Sequence, residues 1–402
     1  MEQDYKLYQG VYVHTPFCRQ KCLYCDFPSF AGFKEQQMVA YARAVAKEIA
    51  YRSQESQLLQ PKATIYFGGG TPSLLPLEAL SLMVQALKAY GFWQQPIEAT
   101  IEVNPGTVTL RTLQQLRALG FNRISMGVQS FQDQELRAIG RIHRGQEAKE
   151  ALLQAQAAGF TRISCDLIYG LPGQTLESLR ENLQQALDLG LTHVSVYGLI
   201  VEEGTALEGL LAKGEIKLPE EELVEDMYQL VQNTLPQAGL KRYEISNYAV
   251  PGQESRHNLV YWHYHPYIAF GSGACGYRGS RRRTGLIGPK EYTGLLEGLP
   301  KTPYNNVESG IGQLEKAGLY EIEDLSQREQ LGEFMFMGLR TRQGADLREA
   351  QERFGIKVLE AFDKDLEPFF HQGLVEYNNK SQRLALTEAG MALGNQIFEI
   401  FV

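Results

Sequence analysis

Gly120-Phe-Asn-Arg-Ile-Ser125 joins a helical stretch to a β-branched run, and the same design returns as Gly159-Phe-Thr-Arg-Ile-Ser164 and Gly190-Leu-Thr-His-Val-Ser195. In each, the glycine suits the position just past a helix, where left-handed backbone angles are needed. An apolar residue then packs, and a strand begins. Working outward, β-branched or aromatic runs occur at Val11–Pro16, Thr64–Phe67, Thr100–Val103, Arg123–Val128, Arg162–Ile168 and His193–Leu199. Amphipathic stretches alternate with them: Met38–Arg52, Leu77–Tyr90, Leu110–Leu119, Ala148–Ala158, Leu176–Leu189 and Glu220–Leu235. Strands alternating with helices predict βα units around a parallel sheet. The repetition favours a barrel over an irregular sheet, so the expected fold is α/β, an open, partial (β/α)6 barrel.

In such barrels, ligand-handling groups gather at the C-terminal ends of strands. The unusual polar and Gly-rich positions fall there. Cys18 follows the first strand and Gly68-Gly69-Gly70-Thr71-Pro72 the second, Glu102 closes the third, Gln129 closes the fourth, and Asp166 lies in the fifth.

Cys18, Cys22 and Cys25 form a C-x3-C-x2-C run. Thiolates are the usual ligands of iron–sulfur clusters, and a four-iron cluster normally takes four. Three from one loop leave one iron open to a small molecule. A structural zinc site would need a second knuckle or histidines to close its shell. Cys165 and Cys275 stand alone and supply none. Zinc, or three unrelated thiols, remains the bland alternative.

The full segment, Tyr12-Val-His-Thr-Pro-Phe-Cys18-Arg-Gln-Lys-Cys22-Leu-Tyr-Cys25-Asp-Phe27, resembles the cluster loop of radical S-adenosylmethionine (SAM) proteins of the oxygen-independent coproporphyrinogen III oxidase-like group. The resemblance runs from Tyr12 to the C-terminus. It implies a 4Fe–4S cluster on the three cysteines, with SAM chelating the open iron and cleaved on reduction to a 5′-deoxyadenosyl radical. It also implies the six-stranded open barrel.

By the same resemblance, Tyr12, Tyr24, Gly69, Gly70, Thr71, Glu102, Gln129, Arg141 and Asp166 match SAM-binding positions. Glycines permit close backbone approach to a ligand, though a tight turn needs them equally. A carboxylate inside an apolar strand, such as Glu102, requires a polar ligand or a cation. The forked donors of Arg141 suit a carboxylate, and Glu102 or Asp166 suits ribose hydroxyls. An internal salt bridge among these residues is the alternative.

The chain has 402 residues, a net charge of −8, 44% hydrophobic and 21% charged residues, an ordinary globular composition. The acidic balance argues against a broad nucleic-acid-binding surface, and Arg281-Arg282-Arg283 reads as a solvated loop. The five cysteines do not form a secreted disulfide framework. Residues 1–10 have no apolar signal-peptide core, and no run reaches the roughly 20 apolar residues of a membrane helix. The cytoplasm is the expected compartment.

Within the group, the oxidases carry a further cysteine two residues after the third, where this chain has Phe27, and a longer N-terminal segment than the eleven residues before Tyr12. Both departures resemble the haem chaperone branch. So does His257-Asn258-Leu259-Val260-Tyr261-Trp262, which matches its H-N-x-x-Y-W signature for haem binding. Imidazole is a common axial ligand of haem iron, and Tyr and Trp offer flat apolar surfaces. On the resemblance His257 is the candidate haem ligand. His263 and His265 lie close enough to substitute, although Pro266 makes a solvated turn their plain reading. Cys275 stands where the branch often has His, and a buried, inert thiol is expected there.

From about Leu331 the pattern changes. Phe334–Leu339, Asp346–Phe354 and Val358–Gln372 read as helices. Gly373–Tyr377 and Arg383–Thr387 flank a polar turn as a hairpin, and Ala389–Phe401 forms a last helix. This predicts a winged-helix-like module without a basic recognition stripe, packed on the barrel rim as a lid over the cluster or docking a protein. The expected parts are therefore residues 1–250 as the barrel, 251–330 as a connecting segment with the H-N-x-x-Y-W motif, and 331–402 as the C-terminal module.

Functionally, the resemblance implies a haem chaperone that passes haem to an acceptor protein such as a membrane cytochrome. The alternative is a radical SAM oxidative decarboxylase acting on coproporphyrinogen III.

Overall fold

The computed structural model describes residues 4–301 and 309–401. Six parallel strands pair in chain order: β1 (Tyr8–Thr15), β2 (Leu59–Gly69), β3 (Ala99–Val103), β4 (Arg123–Gln129), β5 (Arg162–Tyr169) and β6 (His193–Gly198). Helices Glu35–Tyr51, Leu77–Ala89, Leu110–Leu119, Gly145–Ala157 and Leu176–Asp188 alternate with them. The glycine joints work as expected: Gly120 ends its helix in the left-handed region at φ 117°.

Alternation along each strand sorts two environments. On β4, Ile124, Met126 and Val128 are fully buried in the main apolar core. Arg123, Ser125, Gly127 and Gln129 instead line an interior cleft. Burying each apolar side chain contributes about 2 kcal/mol, so the helix–sheet layer can hold the fold while the lumen stays polar. Cys165 lies on the apolar side and is fully buried.

The sheet continues beyond the six strands. Next to β6 come the antiparallel β8 (Asn247–Ala249) and β7 (Lys241–Arg242). On the other side β9 (Tyr267–Phe270) runs parallel to β1, followed by the antiparallel β10 (Cys275–Arg278), β11 (Arg281–Gly285) and β12 (Tyr320–Asp324). The result is one twelve-stranded sheet. The described residues of 251–330 thus add four strands and the Arg256–Trp262, Pro289–Gly298 and Gly310–Lys316 helices to the barrel body.

The Arg281–Arg283 triplet is a strand and not a solvated loop. Its arginines pair with Asp324, Glu323, Glu333 and Glu315, acids that the sequence places some distance away. His265 is likewise only partly exposed, beside a buried Pro266, and not in a solvated turn.

The C-terminal module contains the Gln327–Leu339 and Leu347–Phe354 helices and a three-stranded sheet in which Arg383–Leu386 lies between Ala345–Asp346 and Val375–Asn378. The stretch read as one helix over 358–372 breaks at Phe362 into Val358–Ala361 and Asp363–His371, as the Phe362 ring packs on Phe401. The last helix breaks at Leu393. The module docks through Glu333 on Tyr264 and Arg282, Arg353 on Tyr264 and Tyr277, and Glu388 on Arg242. None of its described residues lines the cysteine cleft, so these residues do not form a lid over that cleft. Its Phe334 meets edge-on the Tyr264 ring, which stacks on Tyr277.

Candidate functional site

The loop after β1 is pinned at several points. Cys18 N–H donates to Phe30 C=O at 3.0 Å, Leu23 N–H to Ile139 C=O at 3.1 Å, and Cys25 N–H to Cys22 C=O at 3.2 Å. All three thiols are free and partly exposed. They line one cleft of about 620 Å³ together with Tyr24, Gly69, Gly70, Thr71, Glu102, Gln129, Arg141 and Asp166. Residues from five strand ends, far apart in sequence, therefore meet in one place.

Glu102 accepts from Tyr66 Oη at 2.7 Å and from Gly69 N–H at 3.1 Å. Asp166 sits beside the Ser125 and Ser164 hydroxyls at 3.4–3.5 Å. Among the described residues neither carboxylate joins an ion pair, so the internal salt bridge is not what holds them. Burial pushes the Glu102 carboxyl up to about 7, with Tyr66 and Gly69 opposing. Burial likewise pushes Asp166 up to about 6 against the serine hydrogen bonds. Two acids held mainly by hydroxyl and amide donors, with no cation bound to either, are poised for a polar ligand.

Arg141 faces the loop. Its Nη1 lies 3.4 Å from Cys22 Sγ and its Nη2 2.9 Å from Asn104 Oδ1, while Nε is buried without a partner. Gln129 closes β4 with φ 70° at a β-bulge against β5. Bulges and left-handed non-glycine residues re-aim side chains at functional sites. Gly70 comes so close to Phe17 that a Cβ would lie 2.7 Å from its carbonyl oxygen. Tyr12 is not in the cleft wall. It lies beneath, its hydroxyl 2.9 Å from His14 Nδ1 and its ring on Tyr66.

His257 sits deeper. It is fully buried and stacks on Tyr66 at 5.0 Å, with Nδ1 2.7 Å from Thr64 Oγ1 and Nε2 2.8 Å from Tyr261 Oη. Burial holds its pKa at about 3. His263 Nε2 and His265 Nδ1, by contrast, have no partner. Cys275 lies in β10 and is partly exposed, not buried as the sequence suggested, although the burial it has pushes its thiol up. Asn258, the residue after His257, lines the cleft with Ser255.

With this geometry in view, the comparisons are specific. Residues 12–186 match the radical SAM superfamily and residues 325–393 the HemN C-terminal domain. The chain is 34% identical to the heme chaperone HemW of Bacillus subtilis (strain 168), over 98% of this chain and 99% of that protein.

This chain belongs to the HemW family of radical SAM proteins.

The HemW of Escherichia coli (strain K12) is 38% identical over 66% of this chain and 69% of its own. Coproporphyrinogen III oxidase (HemN) from Escherichia coli, a radical SAM enzyme, shares the fold at a TM-score of 0.80 and 23% identity, covering 100% of this chain and 91% of that one.

The HemW-family site fits the cofactors that membership implies. Three thiols from one pinned loop suit a cluster. Arg141 Nε is a buried donor without a partner, and Glu102 and Asp166 are carboxylates without an ion-pair partner among the described residues, a donor and acceptors of the kind that a SAM-like ligand would need. Sequence reading missed Tyr66, Asn104, Arg123, Ser125, Ser164 and Ser195, all of which line the cleft. Strict alternation along β4, β5 and β6 was the signal that placed the serines on the interior face.

Proposed function

We propose that this chain binds haem and passes it to an acceptor protein, carrying a 4Fe–4S cluster on Cys18, Cys22 and Cys25 with SAM at the open iron. When bound, those groups supply one-electron chemistry. The chain's residues position them: Gly69, Gly70 and Thr71 through close backbone, Arg141 through its guanidinium, and Glu102, Gln129 and Asp166 through polar contacts, with Tyr24 beside the loop and Tyr12 supporting it from below. In this reading residues 1–250 form the barrel body, 251–330 carry the haem motif, and 331–402 serve acceptor docking or support.

One observation carries the haem reading beyond family membership. The H-N-x-x-Y-W helix places Asn258 in the wall of the same cleft as the three cysteines. Haem ligation by His257 then requires the imidazole to exchange Thr64 and Tyr261 for iron, whereas His263 and His265 already have free nitrogens. Among the described residues no helix is long and apolar enough to cross a membrane. In this reading, transfer from the cytoplasm to a membrane cytochrome goes through protein contact.

The test is an anaerobic haem titration of cluster-loaded protein beside His257→Ala and a His263→Ala/His265→Ala double variant. Stoichiometric binding weakened at least tenfold in His257→Ala supports the reading. Weakening only in the double variant moves the ligand, and no binding to any form sinks the proposal. Formation of protoporphyrinogen from coproporphyrinogen III would instead favour the decarboxylase. Phe27, 67% exposed at the cleft where that enzyme group has its further cysteine, counts against it.

A further inference from the structure

A (β/α) barrel usually fills its lumen with bulky branched side chains. Here four neighbouring strands put small hydroxyls there instead: Thr100, Ser125, Ser164 and Ser195. The cleft consequently runs down past Glu102 and Asp166 to Arg123, His193, Ser255 and Asn258. Most polar groups on this floor are spoken for. Ser164 Oγ lies 2.7 Å from His193 Nδ1, and His193 Nε2 lies 2.8 Å from Tyr243 Oη. His193 stays neutral because burial and the nearby Arg123 and Arg162 push its pKa well down.

Two buried donors on the floor have no partner, Arg123 Nη2 and Thr100 Oγ1. Arg123 is 1% exposed and Thr100 0%. The two residues face one another across β3 and β4 in register. Arg123 Nη1 donates to Gln253 C=O at 3.1 Å. The nearest carboxylate, Glu98, lies 3.9 Å from its guanidinium and closer, at 3.2 Å, to Arg162, while Asp166 feels the Arg123 charge from within the cleft. None of these contacts satisfies Nη2, and an unmatched buried donor is costly.

We infer that the floor of the cleft is a carboxylate-binding subsite, with Arg123 and Thr100 as donors, separate from the residues assigned to SAM. A carboxylate supplies acceptors for both orphan donors. Its source is either a propionate arm of a tetrapyrrole, which rests on the haem proposal above, or a free carboxylate.

The probe is [1-13C]propionate, titrated by NMR into the full-length protein and into Arg123→Gln, Thr100→Val and Arg281→Gln. The expected result is saturable binding, at least tenfold weaker in Arg123→Gln, several-fold weaker in Thr100→Val, and retained in Arg281→Gln, which removes a charge paired with Asp324 outside the cleft. Thr100→Val preserves shape and decides the matter if Arg123→Gln does not fold. Absence of saturable binding, or binding indifferent to both cleft variants, overturns the inference. Haem and its dimethyl ester then separate the sources. A preference for the free acid that Arg123→Gln abolishes assigns a propionate arm, and equal affinity assigns a free carboxylate. Propionate binding without any haem binding sinks the haem reading and leaves the subsite standing.

Discussion

Gly69 donates its backbone N–H to Glu102 at 3.1 Å while its Cα faces His14 so closely that a Cβ would fall 2.5 Å from the imidazole. The turn after β2 is therefore held from two sides, by an acid at the end of β3 and by a ring on β1.

Gly69→Ala should damage the site more than the fold. Residue 69 has φ 113°, and an added Cβ must also displace His14, a combined cost of about 2–4 kcal/mol. Anaerobic equilibrium dialysis should show SAM affinity reduced at least tenfold, with the protein still folded by circular dichroism. Unchanged affinity would remove this turn from the SAM site.

The ligand-free protein should lose stability as pH rises through the weakly acidic range. Glu102 titrates at about 7 in the fold against its usual 4.5, so between those values the folded state binds more protons than the unfolded one, and stability falls with rising pH. The penalty above pH 7 is on the order of 3 kcal/mol. Glu102→Gln escapes it. The melting temperature of the variant relative to wild type should rise by a few degrees between pH 5 and pH 8, and a constant difference would contradict the assignment.

His257→Ala should cost about 2–4 kcal/mol of stability even without haem. The change leaves a void against Tyr66 and strands the Thr64 and Tyr261 hydroxyls. A denaturant midpoint equal to wild type would show that the imidazole is not the packed residue described. The same cost means that haem binding by this variant must be measured below its unfolding transition.

Much of this was legible in the sequence for physical reasons. Gly120, Gly159 and Gly190 announce strand starts because only glycine ends a helix this cheaply in the left-handed region, and the strand ends then place Cys18, Gly69, Glu102, Gln129 and Asp166 together. The remainder depends on contacts distant in sequence. Arg281, Arg282 and Arg283 look solvated until Asp324, Glu323 and Glu315 arrive beside them. β9 carries only Tyr267–Phe270 and gains its identity from pairing with β1. The burial of His257 follows from Thr64 and Tyr66, which are distant in the linear text, as well as from Tyr261 of its own motif.

His257 and Asn258 are neighbours in one short helix, yet one is sealed into the barrel wall and the other opens on the cleft. Successive helical side chains are splayed by about 100°, so a single residue step along this helix carries the chain from the packed interior of the barrel wall to the open face of the cleft.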